Sequence, residues 1–381
     1  MSNPAVGTHA MVASENPTDT LDDAIWSLGI HDAHCHPTDT MDVVPEIPQR
    51  RMRTLTIMST KEHDQELVAQ IAREYGVGKS SVSDLTACRV VPSFGWHPWF
   101  SHLLLDDMKD GGDGVKISKS EHYSSALTNE PTEEFIATLP EPKPLSQFIA
   151  ETRKYLEEFP SALVGEVGID RQFRLPNVSA GPDEKHLSPH RVNLDHQKRV
   201  LEEQLRLAGE MGRAVSVHGV AAHGILYDSF AYLFKGHEKI VRSKRTQKRG
   251  PYDFEGDDSD AEDAGPKPFP PRICLHSFSA PPDFIKTWLN PKIPAEIYFS
   301  FSHAINVGYG YEKFPDMLKL VPEDKLLIES DLHIASIDME HHIAAIVARV
   351  AHDRGWKLEE TVKQLGKNWN KFVYGSNAVS V

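Results

Sequence analysis

The stretch "HDAHCHP", residues 31 to 37, sets three histidines and an aspartate within six positions. Imidazole nitrogens bind divalent cations, and residues two apart on a β-strand point to the same side, so His34 and His36 could share one ion. Cys35 would then face the other way and pack. With 20 histidines in 381 residues, about one His-x-His pair is expected by chance. The pair gains meaning only from its place in the chain.

The same residue types recur at the ends of later apolar runs: His97, Glu166, Asp170, His218, His276, His303 and Asp331. Glu166 sits in "GEVGID", whose glycines permit close approach of backbone or ion. Its carboxylate, too costly to bury unpaired, has two oxygens and can bridge two cations. His34, His36, Glu166, His218, His276 and Asp331 together are enough for two divalent ions with positions open to water, which is a catalytic arrangement. Each residue alone is better explained as a hydrogen-bonded core histidine or a helix-capping acid. Their series along successive strand ends favours the metal site. Asp32 is expected to support the ligands from behind, and His31 to be incidental.

Eight short, β-rich apolar runs carry these residues: 28–36, 54–60, 89–97, 162–170, 214–219, 273–279, 297–303 and 326–331. Between them lie helical patterns, clearest in "LDHQKRVLEEQLRLAGEMG" and "EHHIAAIVARVAHDRG", each stopped by glycine. Strand and helix alternating eight times predict an α/β fold of the (β/α)8 TIM-barrel type, with the active site at the carboxyl ends of the strands. Residues 1–24 read as a disordered tail and 25–381 as one barrel domain with two insertions. The first insertion, about 105–145, reads as a polar excursion loop. The second, about 235–271, runs from the basic "KGHEKIVRSKRTQKRG" to the acidic "DFEGDDSDAEDAG" and offers little apolar surface for folding. Without these segments about 280 residues remain, close to one barrel.

Composition narrows the classes further. Hydrophobic content of 40% and charged content of 25% describe a globular chain, and neither a signal peptide nor an apolar stretch long enough to span a membrane is visible. Three cysteines, Cys35, Cys88 and Cys274, make no disulfide framework, so a reducing cytoplasmic or nuclear location is expected. The net charge of -14 excludes broad adhesion to nucleic acid, but not a nuclease that holds one strand end where cations supply the positive charge.

Through "DAHCHP", "GWHP", "GEVGID", "HQKRVLEEQLRLA", "SVHG", "LHSFS", "LLIESD" and "NWNKF", in that order over about 30–373, the chain resembles the TatD family of metal-dependent deoxyribonucleases. That family is a branch of the amidohydrolase-like barrels, and the likeness is greatest to fungal members with long insertions. The resemblance implies one ion held by His34, His36, Glu166 and Asp331 and a second by Glu166, His218 and His276. It also implies removal of nucleotides from DNA ends, with Asp331 and Glu166 as the catalytic carboxylates. Zn, Mn and Mg all suit these ligands. Some fungal relatives are named as partners of a cell-cycle protein, which makes the 235–271 insertion a candidate docking segment.

Two departures bear on substrate. The family's basic residue after the strand-5 histidine is replaced by Val220, and the proline after the strand-8 aspartate is lost while His333 appears in "ESDLH". Arg171 and Arg174 could supply the missing positive charge. Trp96, His97, Trp99 and Phe100 are expected at the mouth, where aromatic faces can stack an unpaired base and His97 can support a ligand or donate a hydrogen bond to substrate. A phosphomonoesterase, an amidohydrolase-type enzyme acting on a small substrate, and a partner-binding protein on the same barrel are the competing readings. "GEVGIDRQF" has no lysine to become a carbamate bridge, as the main amidohydrolase type would require.

Overall fold

Each of the eight apolar runs carries a strand: β1 (His31–Cys35), β2 (Thr54–Met58), β3 (Arg89–Ser93), β4 (Val164–Asp170), β5 (Val215–Val220), β6 (Arg272–Leu275), β7 (Glu296–Ser302) and β8 (Leu326–Glu329). The computed structural model describes residues 21–78, 87–108, 117–177, 187–241, 265–308 and 313–375. The expectations for residues 1–20 of the tail, and for 109–116 and 242–264 of the insertions, lie outside these. Residues 21–24, counted above with the tail, are ordered: Asp22 caps α1 (Asp23–Ser27) by accepting from Ile25 N.

β1 to β3 form one parallel ladder and β4 to β8 a second. Backbone hydrogen bonds also cross both seams. At β3/β4 they run from Phe94 N to Leu163 O (3.0 Å) and from Gly165 N to Phe94 O (3.2 Å), and at β1/β8 from Asp331 N to His34 O (3.0 Å) and from His36 N to Leu332 O (2.8 Å). The fold is the expected eight-stranded α/β barrel. Strands covered on both faces need apolar or hydrogen-bonded residues throughout, and β2 and β4 are buried at every position.

The helices that follow the strands are α2 (Glu62–Tyr75), α3 (Lys119–Ala126), α4 (Glu133–Thr138), α5 (Leu145–Glu158), α6 (Leu194–Glu210), α7 (His223–Phe234), α8 (Asp283–Trp288), α9 (His303–Asn306), α10 (Phe314–Leu320), α11 (Ile337–Arg354) and α12 (Leu358–Tyr374). The two periodic segments of the sequence are α6 and α11. α11 ends at Gly355 in the left-handed conformation (φ 67°), the usual glycine stop. α6 also fixes the site, because its buried Gln197 and Gln204 grip the backbone at the ends of two strands. Gln197 accepts from Asp170 N (2.8 Å) and donates to Asp170 O (2.9 Å), while Gln204 accepts from Trp96 N (2.7 Å) and donates to Trp96 O (3.2 Å). No helix among the described residues is long and apolar enough to cross a membrane.

The described part of the first insertion is not the structureless excursion expected from its polarity. It holds α3 and α4, and α3 opens with a capping box in which Ser118 Oγ accepts from Glu121 N while Glu121 accepts from Ser118 N. Tyr123, Leu127, Ile136 and Leu139 close a small core with Leu175 and Val192. The docking face buries histidines: His122 Nε2 donates to His102 O (2.7 Å), and burial lowers His102 to about 3 and His122 to about 4. Both folded values lie below the unfolded 6.5, so their neutral burial favours folding above pH 6.5, and that advantage fades as pH falls toward 4. Each group contributes a loss of up to about 1.4 kcal/mol per pH unit. We expect urea stability to drop between pH 7 and pH 5, and to drop less in His122→Gln; equal drops in the two proteins would refute this origin.

Candidate metal centre

Glu166 stands at the middle of the carboxyl face, 2% exposed, with both oxygens ringed by imidazoles. Oε2 lies 3.3 Å from His34 Nε2 and 3.1 Å from His36 Nε2. Oε1 lies 2.8 Å from His218 Nδ1, 2.8 Å from His276 Nε2 and 3.2 Å from His97 Nε2. The ring nitrogens also pair with one another, His34 with His36 at 3.0 Å and His218 with His276 at 3.3 Å. Asp331 Oδ1 is 3.9 Å from each ring of the first pair.

Local sequence explains this convergence. His34 and His36 alternate with Cys35, whose Sγ turns outward to Thr56 O (3.5 Å) and whose thiol burial pushes well above its usual range, opposite to a metal thiolate. Glu166 is brought in by glycine: a Cβ at Gly168 (φ 154°) would fall 2.0 Å from His218 O, and one at Gly95 would fall 2.7 Å from the Gly165 carbonyl carbon. No larger residue lets β4 lie this close to its neighbours. Three non-glycine residues at the carboxyl rim, Ala221 (φ 51°), Ser277 (φ 37°) and Asp331 (φ 57°), adopt the strained left-handed region, as happens where function outweighs local comfort.

The charges divide between the rings. Burial would raise the Glu166 carboxyl, but the facing His97, His276 and His34 rings hold it well below the ordinary range. Burial opposes protonation of His36, yet the hydrogen bond and charge of Glu166, with Asp331 and Asp39, lift it to about 9. His218 and His276 are raised in the same way against burial, whereas burial lowers His34 and brings His97 to about 4. His97 Nδ1 accepts from Trp99 N (3.2 Å), which leaves its Nε2–H directed at Glu166.

The spacing suits cations. Ligand atoms around a four-coordinate ion at about 2.0–2.1 Å lie about 3.3 Å apart. The triplet His34, His36 and Glu166 Oε2 spans 3.0–3.3 Å, and the triplet His218, His276 and Glu166 Oε1 spans 2.8–3.3 Å. A carboxylate whose two oxygens each face an imidazole pair is a donor set that could hold divalent metal ions. The outer nitrogens are fixed by further partners, as metal-bound imidazoles require: His34 Nδ1 by Ser216 Oγ (2.8 Å), His276 Nδ1 by Glu329 Oε1 (3.3 Å) and His218 Nε2 by Asp170 Oδ2 (3.2 Å).

All six expected ligands therefore meet at one place, with His97 added. Asp32 lies behind them, fully buried, accepting from His34 N (3.1 Å) and Ser330 N (3.0 Å) across the β1/β8 seam, and burial lifts its carboxyl to about 7. His31 is remote, stacked on Trp369 with ring centroids 4.1 Å apart, and the ring of His303 lies edge-on to His342. Trp96 does not reach the mouth: it is 3% exposed, donates to Phe100 O (2.8 Å) and packs edge-on against Phe148. Trp99 takes that place, half-buried, stacked on Phe173 and donating to Asp170 Oδ2 (2.6 Å). Arg171 and Arg174 are exposed in the loop after β4.

Glu329 was missed from the sequence. It is fully buried, accepts from Ser277 N (2.6 Å) and Ser277 Oγ (2.7 Å), and stands behind His276. Its signal was present in "ESD", since an acid two residues before Asp331 near a strand end shares the inward face, as His34 does with His36.

The sequence profile of the TatD-related DNases matches residues 31–374. A relative from Schizosaccharomyces pombe, the Cut9-interacting protein scn1, is 38% identical over 353 residues, covering 90% of this chain and 98% of its own. A relative from Saccharomyces cerevisiae, the uncharacterized deoxyribonuclease YMR262W, is 26% identical over 361 residues, covering 90% and 98%. Among solved structures, the TatD homologue YJJV of Escherichia coli superposes with a TM-score of 0.52 at 16% identity, covering 90% of this chain and 97% of that one, a likeness of fold.

Proposed function

Because the chain belongs to the family of TatD-related DNases, we propose that it is a two-metal hydrolase that cleaves phosphodiesters at DNA ends. The observation that carries this reading is the pair of imidazole triplets sharing the two oxygens of Glu166. His34, His36, Glu166 and Asp331 would hold one ion, and Glu166, His218 and His276 the other. Zn, Mn and Mg all remain suited to such ligands. Bound there, the ions would supply the Lewis acidity that brings the pKa of water near 7 and offsets phosphate charge.

The chain's own groups supply the rest. Asp331, at the open side of the first triplet and 17% exposed at its side chain, orients the attacking water and accepts its proton. Ser277 Oγ holds Asp331 Oδ2 at 3.1 Å. His97 steadies Glu166 with an N–H. Trp99 and Phe173, stacked on one another, would offer an aromatic platform for an unpaired base, and Arg171, exposed in the loop after β4, would be the cation that meets a neighbouring phosphate. A cytoplasmic or nuclear location goes with this reading.

The test joins metal content to product. Protein reconstituted with Zn or Mn should retain about two ions and release mononucleotides from end-labelled single-stranded DNA faster than it hydrolyses phosphomonoesters or lactones. No stoichiometric ion after reconstitution would overturn the metal reading, and preference for a phosphomonoester would overturn the nuclease reading. A second reading, partner binding through the 235–271 insertion, is favoured by the name of the scn1 relative. Excision of 242–264 alone separates the two, because Phe269 is core (4% exposed) and must stay. Loss of partner capture with hydrolysis intact would assign docking to that segment.

A further inference from the structure

At the amino ends of the strands, opposite the metal centre, lies a pocket of about 240 Å³ between the start of the barrel and α12. Arg53, just before β2, and Lys363 and Lys367 on one face of α12 line it, and no acidic residue does. That is notable in a chain of net charge -14. Among the described residues the side chains of Arg53, Lys363 and Lys367 make no hydrogen bond or ion pair. The arginines of a nearby pocket are different: Arg213 donates to Leu156 O (2.7 Å) and Arg272 to Phe372 O (2.6 Å).

The cavity is kept open by glycine. A Cβ at Gly366 would lie 3.6 Å from Gly29 O and 3.7 Å from the His31 ring, so a longer side chain would fill the space. Gly29 (φ 88°) turns the chain beneath the guanidinium, with the Nε and Nη2 of Arg53 3.5 Å from where a Cβ would stand. His31, stacked on Trp369 at 4.1 Å, lines the pocket. A half-buried guanidinium without a carboxylate is costly unless an anion meets it, and its planar fork matches two oxygens of a phosphate, with the two ammonium groups as further point charges. The volume lies below the ~300–1,000 Å³ of pockets for drug-sized molecules, so the fitting ligand is small.

From this convergence we infer that the pocket binds a phosphate-class oxyanion carried by a small soluble molecule. The inference does not depend on the hydrolase reading. The indole N–H of Trp369, which donates to Thr56 Oγ1 (3.1 Å) beside the His31 stack, is a local reporter whose NMR resonance is assigned by Trp369→Phe. Inorganic phosphate or a 5′-mononucleotide should shift it saturably. Arg53→Met should weaken that binding by about tenfold or more. The exposed Lys363→Ala/Lys367→Ala pair, which carries the test if Arg53→Met does not fold, should weaken it severalfold, and Glu166→Gln should leave it unchanged. No saturable shift, wild-type affinity in both the Arg53 and the lysine variants, loss with Glu166→Gln, or a response only to vesicles containing phosphorylated inositol lipid would overturn the inference.

Discussion

Glu166→Gln is expected to abolish hydrolysis, lowering kcat/KM by on the order of a thousandfold or more, and to cut the bound metal from about two ions to one or none. The amide keeps the shape of the side chain but replaces one acceptor oxygen with a donating NH2. Oε2 faces His34 and His36, and Oε1 faces His97, His218 and His276. Whichever way the amide turns, one triplet loses its only carboxylate oxygen from this residue and gains an N–H among the imidazole nitrogens. In the proposed mechanism both sides of the scissile phosphate must be held, so a loss confined to one ion position would still disable the site. Circular dichroism and thermal unfolding separate this from collapse of the fold, and metal analysis is run on the same sample. A variant that binds two ions and works within tenfold of the wild type would remove Glu166 from the centre of the proposal.

How much of this site could be read beforehand follows from where periodicity holds. Inside the strands and at their last step it held: β1 turned His34 inward and Cys35 out, His36 directly after the strand kept the alternation, and β4 brought Glu166 to the barrel centre between glycines. Beyond the strand ends it failed. β3 stops at Ser93, and His97 caps the 3-10 turn Pro98–Leu103. The expectation of Trp96 at the mouth fails there, whereas Trp99, expected beside it, is carried to the mouth by the turn. Glu329 is hidden for a different reason: the ligand-type residue that ends the run is Asp331, while the acid two positions earlier sits behind a ligand and makes its contribution through His276. In the first insertion, α3 and α4 are too short and too polar to show a helical stripe. Their starts were marked only by caps, the Ser118-x-x-Glu121 capping box of α3 and Thr132 before Glu133 and Glu134 in α4. The pocket at Arg53 was invisible in principle, because Arg53 and Lys363 are 310 positions apart in the chain and the packing of α12 on the barrel base unites them.

Asp331→Asn should lower kcat by about 10²–10⁴-fold while the Glu166, His218 and His276 triplet keeps its ion. Asparagine is the right replacement because the backbone at 331 is left-handed (φ 57°), a region that Asn and Asp enter more readily than other non-glycine residues. The seam hydrogen bond from the 331 backbone N–H to His34 O survives, and the amide oxygen can still accept from Ser277 Oγ. What disappears is the basic oxygen 3.9 Å from His34 and His36, the one able to take a proton from water. If Asp331 acts as the base, the loss falls on kcat with little change in KM. Asp331→Ala should do the same to kcat and in addition cost about 1 kcal/mol of stability, since alanine is strained at this φ and has no oxygen for Ser277. A fall in KM-dependent binding alone, with kcat intact, would show that Asp331 only completes the ion's coordination. The proton would then have to leave through another group at the mouth, where His333, hydrogen-bonded to Asp39 at 2.8 Å and with its ring 5.7 Å from that of His36, is the next candidate for substitution.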